Sequence, residues 1–244
     1  KKIIHIDQVY AEVDSKYILE AGVIGDISIS LDRIGELAKR GESISTATLK
    51  EYILNEQECF ADNSGYPLKP QRILCDTRKV MGDEDILISD VGAHKMWAAR
   101  LYACEKPNTC LISNGFAAMG IAVPGAIAAR LVHPDRRILA LTGDAGFMMN
   151  SQEIETALRL QLSFVIMIWN DQGYGLIKWH QERRFGRSGF VDFTNPDFVR
   201  YAESFGAKGY RVQDADSLLP VLEQAFADNT VVVVDVPVDY SENM

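Results

Sequence analysis

The chain has 244 residues, and its 25 basic and 34 acidic side chains give a formal net charge of −9. This acidic balance argues against nucleic acid or an anionic membrane as the main partner, because both attract basic surfaces. Hydrophobic residues make up 47% and charged residues 24% of the chain. Such a composition is typical of one or two globular domains rather than of a disordered, collagen-like or coiled-coil protein.

The sequence has no segment typical of a membrane span or a signal peptide. Its longest uncharged apolar stretch, residues 115–129, is short for a span and rich in Gly and Ala, so we predict a buried helix there. The cysteines lack Cys-x-x-Cys spacing and are few for a secreted scaffold, which predicts reduced thiols in a cytoplasmic protein. They are Cys59, Cys75, Cys104 and Cys110.

The first 40 residues contain too few elements for a complete α/β domain. Apolar runs at 3–6 and 23–26 predict short strands, and apolar residues at helical spacing predict a helix over 28–40. We therefore interpret residues 1–40 as the C-terminal tail of an α/β domain and residues 41–69 as a linker. Because the chain starts without Met inside a strand pattern, we expect it to be a fragment of a longer protein.

Residues 70–244 alternate apolar runs with helical patterns. The runs predict strands at 86–89, 109–112, 137–142, 163–169, 208–212 and 231–236. The helical patterns cover 70–81, 95–102, 119–131, 151–160, 196–205 and 217–227. Continuous apolar strands alternating with helices are typical of a parallel sheet covered on both faces. We therefore predict an α/β domain with a doubly wound six-stranded parallel sheet and helices on both faces.

Two aspartates follow neighbouring predicted strands. Asp144 lies in the run Gly143-Asp144-Ala145-Gly146, directly after the strand at 137–142, and Asp171 follows the strand at 163–169. One helix and one strand separate them, so both carboxylates should emerge at the same edge of the sheet, where such folds bind ligands.

A pair of neighbouring carboxylates repels unless a cation lies between them. Mg²⁺ takes oxygen ligands and shares its coordination shell with phosphates. Gly143 and Gly146 allow backbone N–H groups to approach an anion, a helix expected near Asn150 would present its positive end, and Gly173 could place a carbonyl on the metal. Either motif alone is also typical of a tight turn or a helix cap, but the pair at this spacing predicts a Mg²⁺-bridged diphosphate.

This pair of motifs resembles the thiamine diphosphate signature, in which Gly-Asp-Gly is followed further along the chain by Asn-Asn. Further segments look like the acetolactate (acetohydroxyacid) synthase branch of these enzymes, namely residues 90–97, 112–120, 152–157 and 201–207. Residues 234–241 are similar to the catabolic acetolactate synthases. The resemblance covers residues 70–244, and it implies that residues 1–40 are the tail of that family's middle domain.

The resemblance implies a role for each residue that matches the family's motifs. The metal would be held by the side chains of Asp144 and Asp171 and by the carbonyl of Gly173. The cofactor would also contact His94, Gly143, Ala145, Gly146 and Tyr174, with the diphosphate accepting from the backbone N–H groups of Ala145 and Gly146. Met119 would support the bent shape of the cofactor, and the Ala117 carbonyl would accept from its 4′-amino group.

Two residues depart from the signature. Ala145 replaces its last Gly, a mild change if the backbone φ is negative. Asp171 replaces the second Asn and adds a negative charge that should strengthen metal binding; the catabolic synthases share this Asp. The Glu that activates the aminopyrimidine lies in the family's first domain, and nothing in residues 1–40 can take its place.

The implied reaction joins two pyruvates to 2-acetolactate with release of CO₂, in a homo-oligomer that also contains the aminopyrimidine-binding domain. Another thiamine diphosphate-dependent carboligase or 2-oxoacid decarboxylase, or a cofactor-binding fragment that is inactive alone, remains an alternative. A nicotinamide-dependent dehydrogenase fits poorly, because the only Gly-x-Gly, at 173–175, lacks the third Gly of the dinucleotide fingerprint.

Overall fold

The computed structural model describes residues 2–10, 18–39, 46–58 and 63–242. These residues divide into two compact units, Lys1–Ala47 and Thr48–Met244. Cys59 and parts of the predicted linker, residues 41–45 and 59–62, lie outside the described residues. The domain limits predicted at residues 40 and 69 stay a prediction.

The first unit contains two strands and a helix, as the sequence predicts, although its second strand starts at Leu19 and ends at Ile24 instead of covering 23–26. Strands β1 (Ile3–Asp7) and β2 (Leu19–Ile24) pair in parallel, and helix α1 (Ile27–Leu37) follows. The carboxylate of Asp26 accepts a hydrogen bond from the backbone N–H of Ile29 at 3.0 Å, which caps the start of the helix.

The second unit is built on a six-stranded sheet. Its strands are β3 (Ile86–Ser89), β4 (Cys110–Ile112), β5 (Ile138–Gly143), β6 (Phe164–Asn170), β7 (Lys208–Arg211) and β8 (Val231–Pro237). Its helices are α2 (Ala47–Glu58), α3 (Pro70–Val80), α4 (Ala93–Leu101), α5 (Ala122–Val132), α6 (Asp144–Met149), α7 (Glu153–Arg159), α8 (Gly175–Phe185), α9 (Phe198–Phe205) and α10 (Leu218–Ala227).

Every pairing in this sheet is parallel, and the strand order is β4-β3-β5-β6-β8-β7. Alternate side chains of the central strands point to opposite faces, and each face has its own apolar core. Helices α3, α4 and α10 pack on one core, and α5, α7 and α9 on the other. The predicted doubly wound parallel sheet is confirmed.

The strand order reverses between β3 and β5. The chain first runs from β3 outward to β4 and then returns to place β5 on the other side of β3. In sheets of this kind, the crevice at the carboxyl ends of the strands where the order reverses is the usual ligand site. This topology places the segment after β3 beside the segment after β5.

Three helices differ from the sequence-based expectation. A helix was expected to begin near Asn150, after the glycine-rich motif. Instead, helix α6 begins within the motif, at Asp144. Helix α5 begins at Ala122 instead of Met119, because Gly120 has a left-handed φ of 89° that interrupts helical geometry. Helix α8, from Gly175 to Phe185, was not predicted as an element.

The helices in the part of the chain that the structure describes are all too short or too polar to cross a membrane.

Candidate cofactor-binding site

A cavity of about 260 Å³ opens at the carboxyl ends of β3, β5 and β6. It brings together every residue that the sequence nominated for the site: His94, Ala117, Met119, Gly143, Asp144, Ala145, Gly146, Asp171, Gly173 and Tyr174. Since these residues come from four separate segments of the chain, the winding of the fold, and not sequence proximity, makes them neighbours.

Asp144 is 1% exposed, and its carboxylate is held in one orientation. Oδ1 accepts from the backbone N–H of Ala145 at 2.7 Å, and Oδ2 accepts from the backbone N–H of Gln172 and from Nδ2 of Asn195, both at 2.7 Å. Burial raises the pKa of Asp144, and these hydrogen bonds oppose that rise. The carboxylate is therefore pre-oriented but poorly solvated.

Asp171 lines the same cavity and interacts electrostatically with Asp144. Burial, and after it the negative charge of Asp144, raise the pKa of the Asp171 carboxyl to about 7. Two carboxyl groups that oppose each other's ionisation form the charge arrangement that a divalent cation relieves. A Cβ atom added to Gly175 would lie 2.6 Å from Oδ2 of Asp171, so the glycine keeps the space beside this carboxylate open.

Gly173 lies in a short antiparallel bridge with Asp192. The two backbone bonds of this bridge use the carbonyls of Gln172 and Val191, which leaves the Gly173 carbonyl outside the pair. In the described ranges no three Asp, Glu, His or Cys side chains cluster as a metal cage. A cation here would therefore combine two carboxylates with a backbone carbonyl and with oxygens from a ligand, the arrangement expected of Mg²⁺ on a diphosphate.

His94 lines the cavity and has a buried ring nitrogen. The side chain is 2% exposed, and its ring meets that of Trp169 edge-on at 6.4 Å. Burial lowers the pKa of His94 to about 4, so the ring is neutral at pH 7, and its Nε2 has no hydrogen-bond partner among the described residues. A diphosphate oxygen placed against Nε2 would favour the N–H form of that nitrogen.

The close packing of His94 explains two of the glycines. A Cβ added to Gly143 would lie 3.2 Å from Nδ1 of His94, and one added to Gly92 would lie 2.5 Å from Cε1. Both positions therefore require a residue without a side chain if the ring is to stay at the mouth of the β3–β5 crevice.

The segment that carries Ala117 and Met119 is anchored by Asp90. The Asp90 carboxylate accepts from the backbone N–H of Gly120 at 2.9 Å and from that of Ala122 at 3.1 Å. Ala117 has a φ of 53°, a left-handed conformation that is uncommon for a residue with a Cβ and that persists only where the surroundings hold it. The loop is thus fixed with both residues lining the cavity.

The sequence analysis did not single out Asp90, Asn195 or Tyr240. Tyr240 follows β8, lines the cavity and packs its ring against Trp169 at 6.1 Å. Burial first, and then the charges of Asp171 and Asp144, raise the pKa of Tyr240. A search of the residues after every strand would have found Asp90 and Tyr240, whereas Asn195 lies in a polar loop that carries no such signal.

The comparisons with known proteins place most of these residues within one family match. Residues 90–236 match the family described as thiamine pyrophosphate enzyme, C-terminal TPP binding domain. The chain is 37% identical over 250 residues to an acetolactate synthase of Bacillus subtilis and 32% identical over 248 residues to a catabolic acetolactate synthase of Raoultella terrigena. It is 31% identical over 252 residues to a probable acetolactate synthase large subunit of Methanocaldococcus jannaschii.

These alignments cover 99% to 100% of this chain and 43% to 44% of the relatives, so the chain spans less than half the length of the curated relatives it matches. The cavity lies within the matched residues, apart from Tyr240, and it unites the two motifs on which the resemblance rests. The chain belongs to the thiamine pyrophosphate enzyme family, of which it contains the C-terminal TPP-binding domain, and it is similar to acetolactate synthases.

Proposed function

We propose that this chain supplies the Mg²⁺- and diphosphate-binding part of an enzyme that condenses two pyruvates to 2-acetolactate with release of CO₂. The observation that carries the proposal is the cavity lined by Asp144, Asp171 and His94, whose buried Nε2 has no hydrogen-bond partner in the part of the chain that the structure describes. Two carboxylates suit a hard cation, and a buried ring nitrogen that can donate a hydrogen bond suits an anionic oxygen.

The residues of the cavity fit a bound thiamine diphosphate and its metal. Asp144, Asp171 and the carbonyl of Gly173 would hold Mg²⁺, and the backbone N–H of Gly146 would bind the diphosphate. The N–H of Ala145, which the resemblance also assigns to the diphosphate, donates instead to Asp144 Oδ1. The cofactor would supply the electron sink for decarboxylation and carbon–carbon bond formation.

The remaining walls of the cavity are largely apolar and would shape the reacting end. Met119, Leu176, Ile177 and Tyr240 line it, and apolar side chains in such a position exclude water from the substrate. We expect Met119 to hold the bent shape of the cofactor and the Ala117 carbonyl to accept from its 4′-amino group. The activating Glu would come from the aminopyrimidine-binding domain of the whole enzyme, which we expect to be an oligomer.

Calorimetry with thiamine diphosphate and Mg²⁺ tests the cofactor site on the 244-residue chain. We expect binding that EDTA abolishes and that Asp171→Ala weakens at least about tenfold, a typical effect for a lost metal interaction. Asp83→Ala is the matched control, since Asp83 is an exposed acid in the turn before β3. Binding that is indifferent to both EDTA and Asp171→Ala would contradict the metal role.

Product analysis of the whole enzyme with pyruvate tests the reaction. Acetolactate is the expected product, in keeping with the names of the relatives at 37% and 32% identity. Acetaldehyde as the main product would instead assign the enzyme to the 2-oxoacid decarboxylases that use the same cofactor.

A further inference from the structure

A continuous row of polar side chains runs along the carboxyl edge of the sheet and ends at Asp144. Arg211 Nε donates to Asp235 Oδ2 at 2.9 Å, and Asn170 Nδ2 donates to Asp235 Oδ1 at 2.9 Å. Asn195 Nδ2 then donates to Asn170 Oδ1 at 3.0 Å and to Asp144 Oδ2 at 2.7 Å. The row thus crosses the sheet in its spatial order, from β7 over β8 and β6 to the end of β5.

The far end of this row is fixed to a helix. The guanidinium of Arg211 also pairs with Asp197 at 3.1 Å, and Asp197 accepts from the backbone N–H groups of Val199 and Arg200 at the start of α9. In the middle of the row, Asp235 is only 1% exposed, so its charge depends on Arg211 and Asn170 for compensation. The row is therefore anchored at the end remote from the cavity.

Asn195 has one orientation that satisfies its neighbours. Both hydrogens of its amide group are donated, one to Asp144 and one to Asn170, while its buried Oδ1 has no partner among the residues described. Turning the amide over would set Oδ1 against two acceptor oxygens and lose both hydrogen bonds. The orientation of the side chain thus satisfies both N–H donors and leaves the Oδ1 acceptor without a hydrogen bond among the described residues.

This arrangement determines how Asp144 faces the cavity. Asn195 and the Gln172 N–H hold Oδ2, and the Ala145 N–H holds Oδ1, so the carboxylate plane is set by three donors. Mg²⁺ demands near-ideal octahedral geometry at short distances, whereas Ca²⁺ accepts irregular shells, so ligand orientation matters more for Mg²⁺. Groups that orient a ligand from behind contribute strongly to metal affinity.

We propose that Asn195 is a positioning residue that orients Asp144 for Mg²⁺, tied through Asn170 and Asp235 to Arg211. The inference rests on the proposed function, since it takes Asp144 as a metal ligand. It assigns a role to a loop residue that does not itself line the cavity.

Metal titrations in the presence of saturating thiamine diphosphate test this role. We expect Asn195→Ala to weaken Mg²⁺ binding about 10- to 100-fold, the range typical for lost ligand-orienting partners. Binding of Ca²⁺ should fall by a smaller factor, because its coordination tolerates a misoriented carboxylate. Asn229→Ala, at an exposed Asn before β8 at the opposite edge of the sheet, is the control and should leave both affinities unchanged.

The titrations are made by calorimetry at a temperature at which circular dichroism shows each variant to be folded. If Asn195→Ala does not fold, Asn195→Gln, which keeps an amide on a longer side chain, takes its place, and the loss should again be greater for Mg²⁺ than for Ca²⁺. Unchanged Mg²⁺ affinity, or equal losses for the two ions, would overturn the inference. Absence of Mg²⁺-dependent cofactor binding in the unsubstituted chain would instead overturn the proposed function itself.

Discussion

Asp171→Asn should stabilise the metal-free protein at neutral and alkaline pH. Burial and the charge of Asp144 raise the pKa of Asp171 from 3.8 to about 7. An acid whose pKa is higher in the folded than in the unfolded state opposes folding once it is ionised. The amide of Asn has nearly the same shape and carries no charge, so the substitution removes this opposition.

The size and the pH dependence of the effect follow from the shift. At about 1.4 kcal/mol per pKa unit, a rise from 3.8 to about 7 corresponds to about 4 kcal/mol of lost folding free energy when Asp171 is ionised in both states. The loss is complete above pH 7 and shrinks as the pH falls from about 7 towards 3.8. Between pH 8 and pH 5, about 3 kcal/mol of the difference between variant and wild type should disappear.

Urea unfolding in EDTA at pH 5, 6, 7 and 8 measures this difference. Subtracting the two free energies of unfolding removes the titrating groups that do not interact with position 171, so the difference reports Asp171 together with its coupling to Asp144. Repeating the series with Mg²⁺ and thiamine diphosphate should reverse the order, since a ligand that binds only the folded state stabilises it in proportion to its affinity.

The reasoning fails if the variant and the wild type differ by the same free energy at every pH. It also fails if the difference grows as the pH falls, because that sign would require the pKa of Asp171 to be lower in the folded state.

Three further substitutions probe the packing around the site and the sheet. His94→Ala should weaken thiamine diphosphate more than thiamine in competition calorimetry, because we expect its buried Nε2 to donate to the diphosphate; equal losses would contradict this contact. Gly175→Ala should weaken Mg²⁺ binding about tenfold or more, because its Cβ would lie 2.6 Å from the Asp171 carboxylate, and an unchanged isotherm would show that the side chain can move away. Gly209→Ala should lower the free energy of unfolding by about 1–3 kcal/mol in urea, since its Cβ would meet the Val199 backbone at 2.7 Å; an unaltered midpoint would mean that β7 and α9 can separate.

The strands and helices of the second unit were largely predictable, because they depend on the spacing of apolar residues over short stretches of the chain. All six predicted strands are present in the sheet, with ends that differ by one residue or less, since continuous apolar runs mark strands buried on both faces. Helix starts were less predictable. Whether α5 begins at Met119 or at Ala122 depends on Gly120 and on hydrogen bonds to Asp90, which lies thirty residues away.

The pair of acids could also be predicted, because both follow strands and parallel strands present their carboxyl ends at one edge. The contact between His94 and Gly143 could not, since it requires β3 and β5 to be neighbours although β4 lies between them in the chain.

The sequence by itself determined the parallel α/β architecture, the two metal-binding candidates and the family, because each depends on residue types at short or regular spacing. Only the tertiary structure decided the strand order, the place of Tyr240 in the cavity and the row of side chains through Asn195. Those features depend on contacts between residues far apart in the chain, which local patterns do not encode.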